Sequence, residues 1–130
     1  MSLPEFHQKG WGFESWIVNN DKYCGKLLFF KKGLQCSVHW HKLKTETFYV
    51  HNKGRLSVLY AMLPEDLDPA IPEQVKKFVS EMTRVVLEEG DVFHVPPYMV
   101  HSMQGLLDTE LFEFSTTHFE EDSFRLIKGD

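Results

Sequence analysis

Residues 33–54 read GLQCSVHWHKLKTETFYVHNKG, a stretch in which His39 and His41 are separated by a single residue. In an extended strand, side chains two residues apart point to the same face, with their Cα atoms about 6–7 Å apart. The two imidazoles are therefore close enough to share one metal ion. Glu46 begins the next predicted strand after a tight connection and adds a carboxylate to the same region.

A second stretch, residues 90–105, reads GDVFHVPPYMVHSMQG. His101 follows the rigid bend at Pro96-Pro97, which we expect to bring its imidazole against the first three candidates. Three imidazoles and one carboxylate form a borderline ligand set that suits manganese, iron, cobalt, nickel, copper or zinc better than calcium. With four protein ligands, an octahedral ion would keep two positions for water or substrate.

The rest of the chain is mostly short segments rich in β-branched and aromatic residues, separated by Gly, Asn, Asp or Pro. This pattern is typical of an all-β sandwich or barrel. The predicted strands cover residues 13–20, 26–32, 35–41, 46–52, 55–62, 83–89, 91–96 and 110–116. Residues 64–82 differ, since Pro72 stands at a plausible first helical position and apolar residues recur at helical spacing. We predict one short inserted helix there, either a lid or, as most such stripes are, a surface element with its apolar face packed down.

Composition limits the class of protein. The chain has 130 residues, 42% of them hydrophobic, and a formal net charge of −5. This length predicts a single domain over 1–130, with a barrel core at about 13–115 and a polar tail at 116–130. The interspersed charges argue against nucleic acid as a partner, and no apolar run is long enough to cross a membrane. Cys24 and Cys36 lack the spacing of a metal knuckle or a disulfide framework, so we expect small buried thiols in a cytoplasmic protein.

The two quoted stretches resemble the signature motifs of the cupin superfamily, Gly-x5-His-x-His-x3,4-Glu-x6-Gly and Gly-x5-Pro-x-Gly-x2-His-x3-Asn. The first motif is matched by Gly33, His39, His41, Glu46 and Gly54, with one extra residue before the last glycine. The second is matched by Gly90, Pro96 and His101, with Tyr98 at the middle glycine and Gly105 at the final asparagine. The resemblance implies a double-stranded β-helix, or jelly-roll barrel, and commonly a homodimer. It also implies one divalent ion held by His39, His41, Glu46 and His101.

A longer pattern adds Lys44 within the first motif, Glu113 on the last predicted strand and Arg125 a dozen residues later. This pattern resembles the cupin-type D-lyxose and mannose ketol-isomerases. The resemblance implies that the metal holds the sugar while Lys44 and Glu113 do acid–base work. The tail STTHFEEDSFRLIKGD is also similar to the closing segment of cupin domains found with sugar-phosphate and sialic-acid-pathway enzymes, so both resemblances point to carbohydrate.

Three questions about these residues stay open at the level of sequence. Strand alternation places Glu113 opposite its two flanking phenylalanines, so either set could face the interior. Arg125 could bind a hydroxyl, carboxylate or phosphate of a substrate, or pair with Asp122 and Glu121 in a surface network. Tyr98 is a candidate aromatic contact for a sugar, whereas the parity of Trp40 turns its ring away from the metal.

The expected function is that of a metal-dependent cupin acting on a small carbohydrate, with aldose–ketose isomerisation first and manganese favoured over iron, zinc, nickel and cobalt. Such a reaction needs a Lewis acid at O1 and O2, a base that moves a proton between C2 and C1, and a proton carrier for the oxygens. The metal, Glu113 and Lys44 would fill these roles in order. A metal-dependent dioxygenase, which needs neither Lys44 nor Glu113, and a non-enzymatic sugar-binding cupin are the alternatives.

Overall fold

The computed structural model describes all 130 residues and confirms the all-β class, with eleven strands and one α-helix. The strands are β1 (Glu5–Lys9), β2 (Gly12–Asn19), β3 (Cys24–Phe30), β4 (Val38–Trp40), β5 (Glu46–His51), β6 (Arg55–Met62), β7 (Thr83–Glu88), β8 (Val92–Val95), β9 (Met99–Gly105), β10 (Thr109–Ser115) and β11 (Phe124–Ile127). The helix α1 spans Pro72–Ser80.

The strands form two antiparallel sheets of the predicted jelly-roll type. One sheet has six strands in the order β1-β2-β3-β10-β5-β8, and the other has five in the order β11-β4-β9-β6-β7. The predicted strands correspond to β2 to β8 and β10, whereas β1, β9 and β11 were not predicted. Strand β9 escapes pattern recognition because five of its seven residues are buried, so that it lacks the alternation of a half-exposed strand.

The helix α1 covers the outer face of the five-stranded sheet. Pro72 occupies its first turn, as predicted, and Val75 is its buried residue. Its apolar side packs with Val38 and Val100, whose chain neighbours His39 and His101 point to the opposite face of the sheet. The helix is therefore a surface element and not a lid over the histidines. Neither α1 nor any other helix of the structure is long and apolar enough to cross a membrane.

The space between the two sheets is divided into an apolar end and a polar end. At the apolar end, Phe30, Val50, Leu56 and Leu111 are completely buried in one cluster. Burying each such side chain stabilises the fold by about 1.5–3 kcal/mol. Towards the polar end, inward-facing positions of the same strands carry buried polar residues: Lys26 on β3, Glu46 on β5, His101 on β9 and Glu113 on β10. The apolar end thus supplies a stable frame on which charged groups are held out of water.

The C-terminal tail folds back onto the barrel. After a short 3-10 turn at Glu120–Asp122, strand β11 pairs with β4 and places Arg125 directly opposite His39. The backbone N–H of Ser37 also donates to the carbonyl of Asp130. The sheets therefore extend beyond the predicted core at both termini, through β1 and β11.

Candidate functional site

The polar end of the barrel opens to solvent as a small cavity of about 80 Å³. One nitrogen from each of His39, His41 and His101 lies within 4.8 Å of the other two. The Oε2 atom of Glu46 is 3.3 Å from Nε2 of His101 and 3.7 Å from Nε2 of His41. The three imidazoles thus form one cluster, and Glu46 lies beside two of them; β4 with the residue that follows it, β5 and β9 carry these four candidate ligands.

Each of the three histidines is held in one tautomer by a backbone carbonyl. The Nδ1 atoms contact the carbonyl oxygens of Ser37 at 3.1 Å, Asp122 at 2.7 Å and Met99 at 3.0 Å, for His39, His41 and His101 respectively. A carbonyl can only accept, so each Nδ1 carries the proton and each Nε2 keeps its lone pair. This arrangement orients and tunes metal-binding histidines in many proteins.

The donor atoms of this cluster fit a divalent cation. Nε2 of His101 and Oε2 of Glu46 are both buried without a hydrogen-bond partner, a state that costs about 1–3 kcal/mol per group. A cation between them would satisfy both atoms. Burial also lowers the pKa of His41, and burial with the neighbouring histidines lowers that of His39 well below its usual value. Both imidazoles are therefore neutral at pH 7, as coordination requires.

Lys44 lies beside the histidine cluster, with its side chain buried and all of its N–H donors used. Its Nζ atom is 3.1 Å from Oε1 of Glu46, 2.7 Å from Oε2 of Glu113 and 3.0 Å from Nδ1 of His118. Burial alone would lower the pKa of Lys44, but the charges of Glu113 and Glu46 outweigh it and raise the pKa above its usual value. The side chain is therefore a permanent cation whose three N–H donors are all used.

Glu113 faces the interior, which answers the question left open by strand alternation. Its side chain is buried, whereas Phe112 is half-buried and Phe114 is exposed on the outer face of the sheet. Ser115 donates a 2.9 Å hydrogen bond to Oε2 of Glu113, the same atom that Lys44 binds. The remaining oxygen, Oε1, is the one available to a substrate in the cavity.

Asp122 is a structural partner of the site that sequence reasoning missed. Its buried carboxylate accepts the backbone N–H groups of Lys42 at 2.8 Å, Leu43 at 3.2 Å and Lys44 at 3.1 Å. The carboxylate thus fixes the loop between the paired histidines and Glu46. The suggested surface pairing of Asp122 with Arg125 is wrong, because the Asp122 carboxylate is buried and bound by backbone. No local signal could reveal this contact, since its partners lie about 80 residues away.

The two candidate substrate-binding residues lie in different places. Arg125 lines the cavity on the strand that pairs with β4. Tyr98 lies on the outer face of the barrel, where its ring stacks on Trp40 with 5.6 Å between centroids. This position corrects the expectation that Tyr98 contacts a sugar at the metal. Tyr98 has a left-handed backbone, with φ +67°, in the turn before β9, and this conformation directs its ring to the outer face. Trp40 points away from the histidine cluster, as its position between two inward-facing residues of the strand predicts.

The cavity lining also includes side chains that were not predicted, among them Lys26 and His118. His118 has the opposite tautomer to the three clustered histidines. Its Nδ1 must accept from the Lys44 ammonium, so its Nε2–H donates to Glu120 at 3.2 Å. Burial and the charge of Lys44 lower the pKa of His118, which keeps the ring neutral. A lone histidine in a polar tail carries no sequence signal for such a contact.

Comparison with known proteins agrees with this architecture. A family model described as Cupin matches residues 26–124. The D-lyxose ketol-isomerase of Thermofilum sp. (strain ex4484_79) is 30% identical over 115 residues, which cover 80% of this chain and 62% of that protein. The chain thus spans less than two thirds of the length of this relative.

Two solved structures illustrate the shared fold. The capsular polysaccharide assembling protein CapF from Staphylococcus aureus matches with a TM-score of 0.71 and 17% identity, over 98% of this chain and 35% of that one. KdgF from Halomonas sp. matches with a TM-score of 0.65 and 16% identity, over 92% of this chain and 98% of that one. At these identities the likeness concerns the fold alone. Since the family model spans well over half of the sequence, the chain belongs to the cupin family.

Proposed function

We propose that this cupin is a metal-dependent sugar isomerase that interconverts an aldose and its ketose, with D-lyxose or mannose as the model substrate. One observation carries the proposal: a buried ammonium, Lys44, contacts both the metal-ligand candidate Glu46 and a second inward-facing carboxylate, Glu113. A site that only retained a ligand would not need a second buried carboxylate beside the metal. The ketol-isomerase relative supports the same reaction class.

His39, His41, Glu46 and His101 would hold the ion, with manganese favoured and iron, zinc, nickel or cobalt as alternatives. A divalent ion bound there would supply a Lewis acid for O1 and O2 of the sugar. The three fixed Nε2 lone pairs and the unpartnered Oε2 of Glu46 support this ligand set.

Glu113 is the proposed base. Its free Oε1 would take the proton from C2 of the sugar and return it to C1, which is general acid–base catalysis by a positioned carboxylate. Lys44 and Ser115 hold the other oxygen, so the carboxylate is fixed in one orientation before the substrate arrives.

For Lys44 we propose a role in charge and orientation instead of proton transfer. Its raised pKa makes it a poor acid, and its three donors are already used by Glu46, Glu113 and His118. The ammonium would stabilise Glu113 as a carboxylate beside the negative charge of Glu46. It would also offset negative charge that develops on the sugar oxygens.

The proposal is tested with purified protein stripped of metal and reloaded separately with manganese, cobalt, nickel, zinc and ferrous iron. Each form is incubated with a panel of aldoses under argon, and ketose formation is followed by NMR. We expect a ketose from at least one aldose, only in the metal-loaded forms. If no ketose forms, and if oxygen is consumed when a panel of catechols and diketones is offered in air, the dioxygenase alternative replaces the isomerase.

We further propose that the protein is a homodimer formed through the outer face of the six-stranded sheet. Whereas α1 covers the other sheet, this face leaves Phe6 60% and Phe114 57% exposed, and the rings of Phe6, Phe13 and Phe29 form a continuous row. Six strands of about six residues present roughly 600 Å², not far from the roughly 800 Å² per partner of a stable interface. An almost uncharged aromatic face is self-complementary, as two-fold symmetry requires.

A further inference from the structure

Two lysines of the cavity have equally buried side chains, but only one of them has hydrogen-bond acceptors for its ammonium. Lys44 is 3% exposed and donates to three acceptors, whereas Lys26 is 2% exposed and has no acceptor within hydrogen-bonding distance. The nearest carboxylate oxygen to its Nζ is Oε1 of Glu14, at 3.7 Å, and the other close group is the Trp16 ring, 4.3 Å from Nζ to the centroid. The Lys26 ammonium therefore keeps N–H donors that can bind water or a molecule in the cavity.

Glu14 lies beside Lys26 but accepts its hydrogen bond from another donor. Oε1 of Glu14 accepts a 2.8 Å hydrogen bond from the indole Nε1–H of Trp16. The carboxylate thus offsets part of the charge of Lys26 but leaves its N–H groups free. Since Lys26 lines the cavity, these donors are available to a bound molecule.

The position of Lys26 relates it to the proposed chemistry. It lies directly opposite Glu113 in the pairing of β3 with β10, and opposite Trp16 in the pairing of β2 with β3. Neighbouring strands are about 4.8 Å apart, so Lys26 is one strand from the proposed base and about 10 Å from the strand that carries Glu46. A sugar with O1 and O2 at the histidine cluster could extend its far end towards Lys26 and Trp16.

Two further cations lie at the cavity mouth, where an anion at that far end could reach them. The carboxylates of Glu14, Glu120 and Asp130 each accept from an uncharged donor, namely the Trp16 indole, His118 and the backbone N–H of Gly10. The cations Lys9 and Arg125 line the same cavity and form no ion pair. The mouth therefore offers cations with free N–H donors, beside carboxylates that keep their charge but already accept hydrogen bonds.

We infer that Lys26 is a substrate-binding residue that selects sugars with a carboxylate or phosphate group at the end remote from the carbonyl, with Arg125 as a second cation. The orientation of the sugar rests on the proposed isomerase function, but the binding preference does not. An oxyanion between these groups would receive the charge-assisted hydrogen bonds that Lys26 lacks within the protein.

The test measures binding by isothermal titration calorimetry with probes that have no aldehyde or ketone group and cannot isomerise. The probes are D-mannitol, D-mannitol 1-phosphate and D-mannonate, added to metal-loaded wild-type protein, Lys26→Met and the matched surface control Lys22→Met. We expect wild type and Lys22→Met to bind one or both anionic probes at least tenfold more tightly than mannitol. Lys26→Met should lose about tenfold to a hundredfold in affinity for that anion and change less than about threefold for mannitol.

A second variant keeps the inference testable if Lys26→Met does not fold. Glu14→Gln removes a negative charge next to Lys26 and should tighten anion binding by about three- to tenfold. Equal affinity for charged and neutral probes in wild type, or an anion preference that survives in Lys26→Met, would overturn the inference. These outcomes are independent of turnover, so a protein that isomerises no sugar could still show the preference, and an active isomerase could lack it.

Discussion

The Nζ atom of Lys44 lies 2.7 Å from Oε2 of Glu113, and both side chains are buried at the polar end of the barrel. The same ammonium lies 3.1 Å from Oε1 of Glu46. One cation therefore joins a candidate metal ligand to the proposed base. Because the group is desolvated, its charges interact strongly, and the loss of one member leaves the others uncompensated.

Replacement of Lys44 by Met should destabilise the protein and abolish isomerisation. The change leaves two buried carboxylates without their cation, which we expect to cost about 3–5 kcal/mol in the free energy of unfolding. Urea denaturation of the metal-free protein measures this cost. The matched control is Lys42→Met, an exposed lysine two residues away, which should change stability by no more than about 0.5 kcal/mol. Turnover of a sugar by Lys44→Met at the wild-type rate would contradict the proposed role.

Replacement of Asp122 by Ala should weaken metal binding although Asp122 is not a ligand candidate. The side chain holds three backbone N–H groups of the loop that leads from His41 to Glu46, so its loss frees that loop. We expect metal affinity to fall about tenfold to a hundredfold, as for other residues that orient ligands. Glu121→Ala, at an exposed neighbouring position, is the control and should bind metal like wild type. Unchanged affinity in Asp122→Ala would mean that the loop is held by other contacts.

Metal affinity should fall less between pH 8 and pH 6 than three histidines of ordinary pKa would cause. Burial lowers the pKa of His41, and burial with neighbouring histidines lowers the pKa of His39, so both rings resist protonation in the folded protein. Histidines with an ordinary pKa of about 6.5 would each weaken binding about fourfold at pH 6. Competition with a fluorescent chelator measures the affinity. A loss of affinity of about fourfold per histidine at pH 6 would show that the rings titrate normally.

The same shifts predict the sign of the acid response of the metal-free protein. Below about pH 6.5 the unfolded chain protonates His39 and His41, while the folded chain resists protonation. The free energy of unfolding should therefore fall as the pH drops from 6.5 towards the lowered values of the folded state. Urea midpoints at pH 7.5, 6.5 and 5.5 measure this trend. A midpoint that rises on acidification would contradict it.

Replacement of Phe114 by Lys should convert a dimer into a monomer. Phe114 lies exposed on the aromatic face of the six-stranded sheet, where two charges brought together by two-fold symmetry would repel each other. Sedimentation equilibrium of wild type and variant measures the mass. Phe119→Lys, at an exposed phenylalanine of the tail, is the control and should remain dimeric. A monomeric wild type would rule out the proposed interface.

Much of the fold follows from local sequence patterns. Alternation identified eight of the strands, and Pro72 with an apolar stripe identified α1, because these signals reside within a few residues. Parity also explains why the rings of His39 and His41 face the cavity while Trp40 faces outward. The paired-histidine spacing and the later His101 were sufficient to find the cluster of candidate ligands.

The remaining part of the site depends on contacts between distant segments. Lys26 is next to Glu113 only because β3 pairs with β10 in one register, and Asp122 reaches the ligand loop only because the tail folds back. Residues 120–123 are polar and β11 has only four residues, so no extended apolar pattern shows that this segment joins the barrel. The placement of Tyr98 was missed because its left-handed backbone in the turn before β9 directs the ring to the outer face.

Proton exchange at C2 of an aldose tests the central claim most directly. Manganese-loaded wild type, Glu113→Gln and the control Glu110→Gln are incubated with the best aldose in deuterated water, and NMR follows deuterium at C2 after the protein is removed. Glu110 lies on the outer face of the same strand as Glu113. We expect exchange with wild type and Glu110→Gln, and a rate about 10²–10⁴-fold lower with Glu113→Gln. Exchange that is undiminished in Glu113→Gln, or absent from wild type with every aldose and metal, would contradict the assignment of Glu113 as the base of a sugar isomerase.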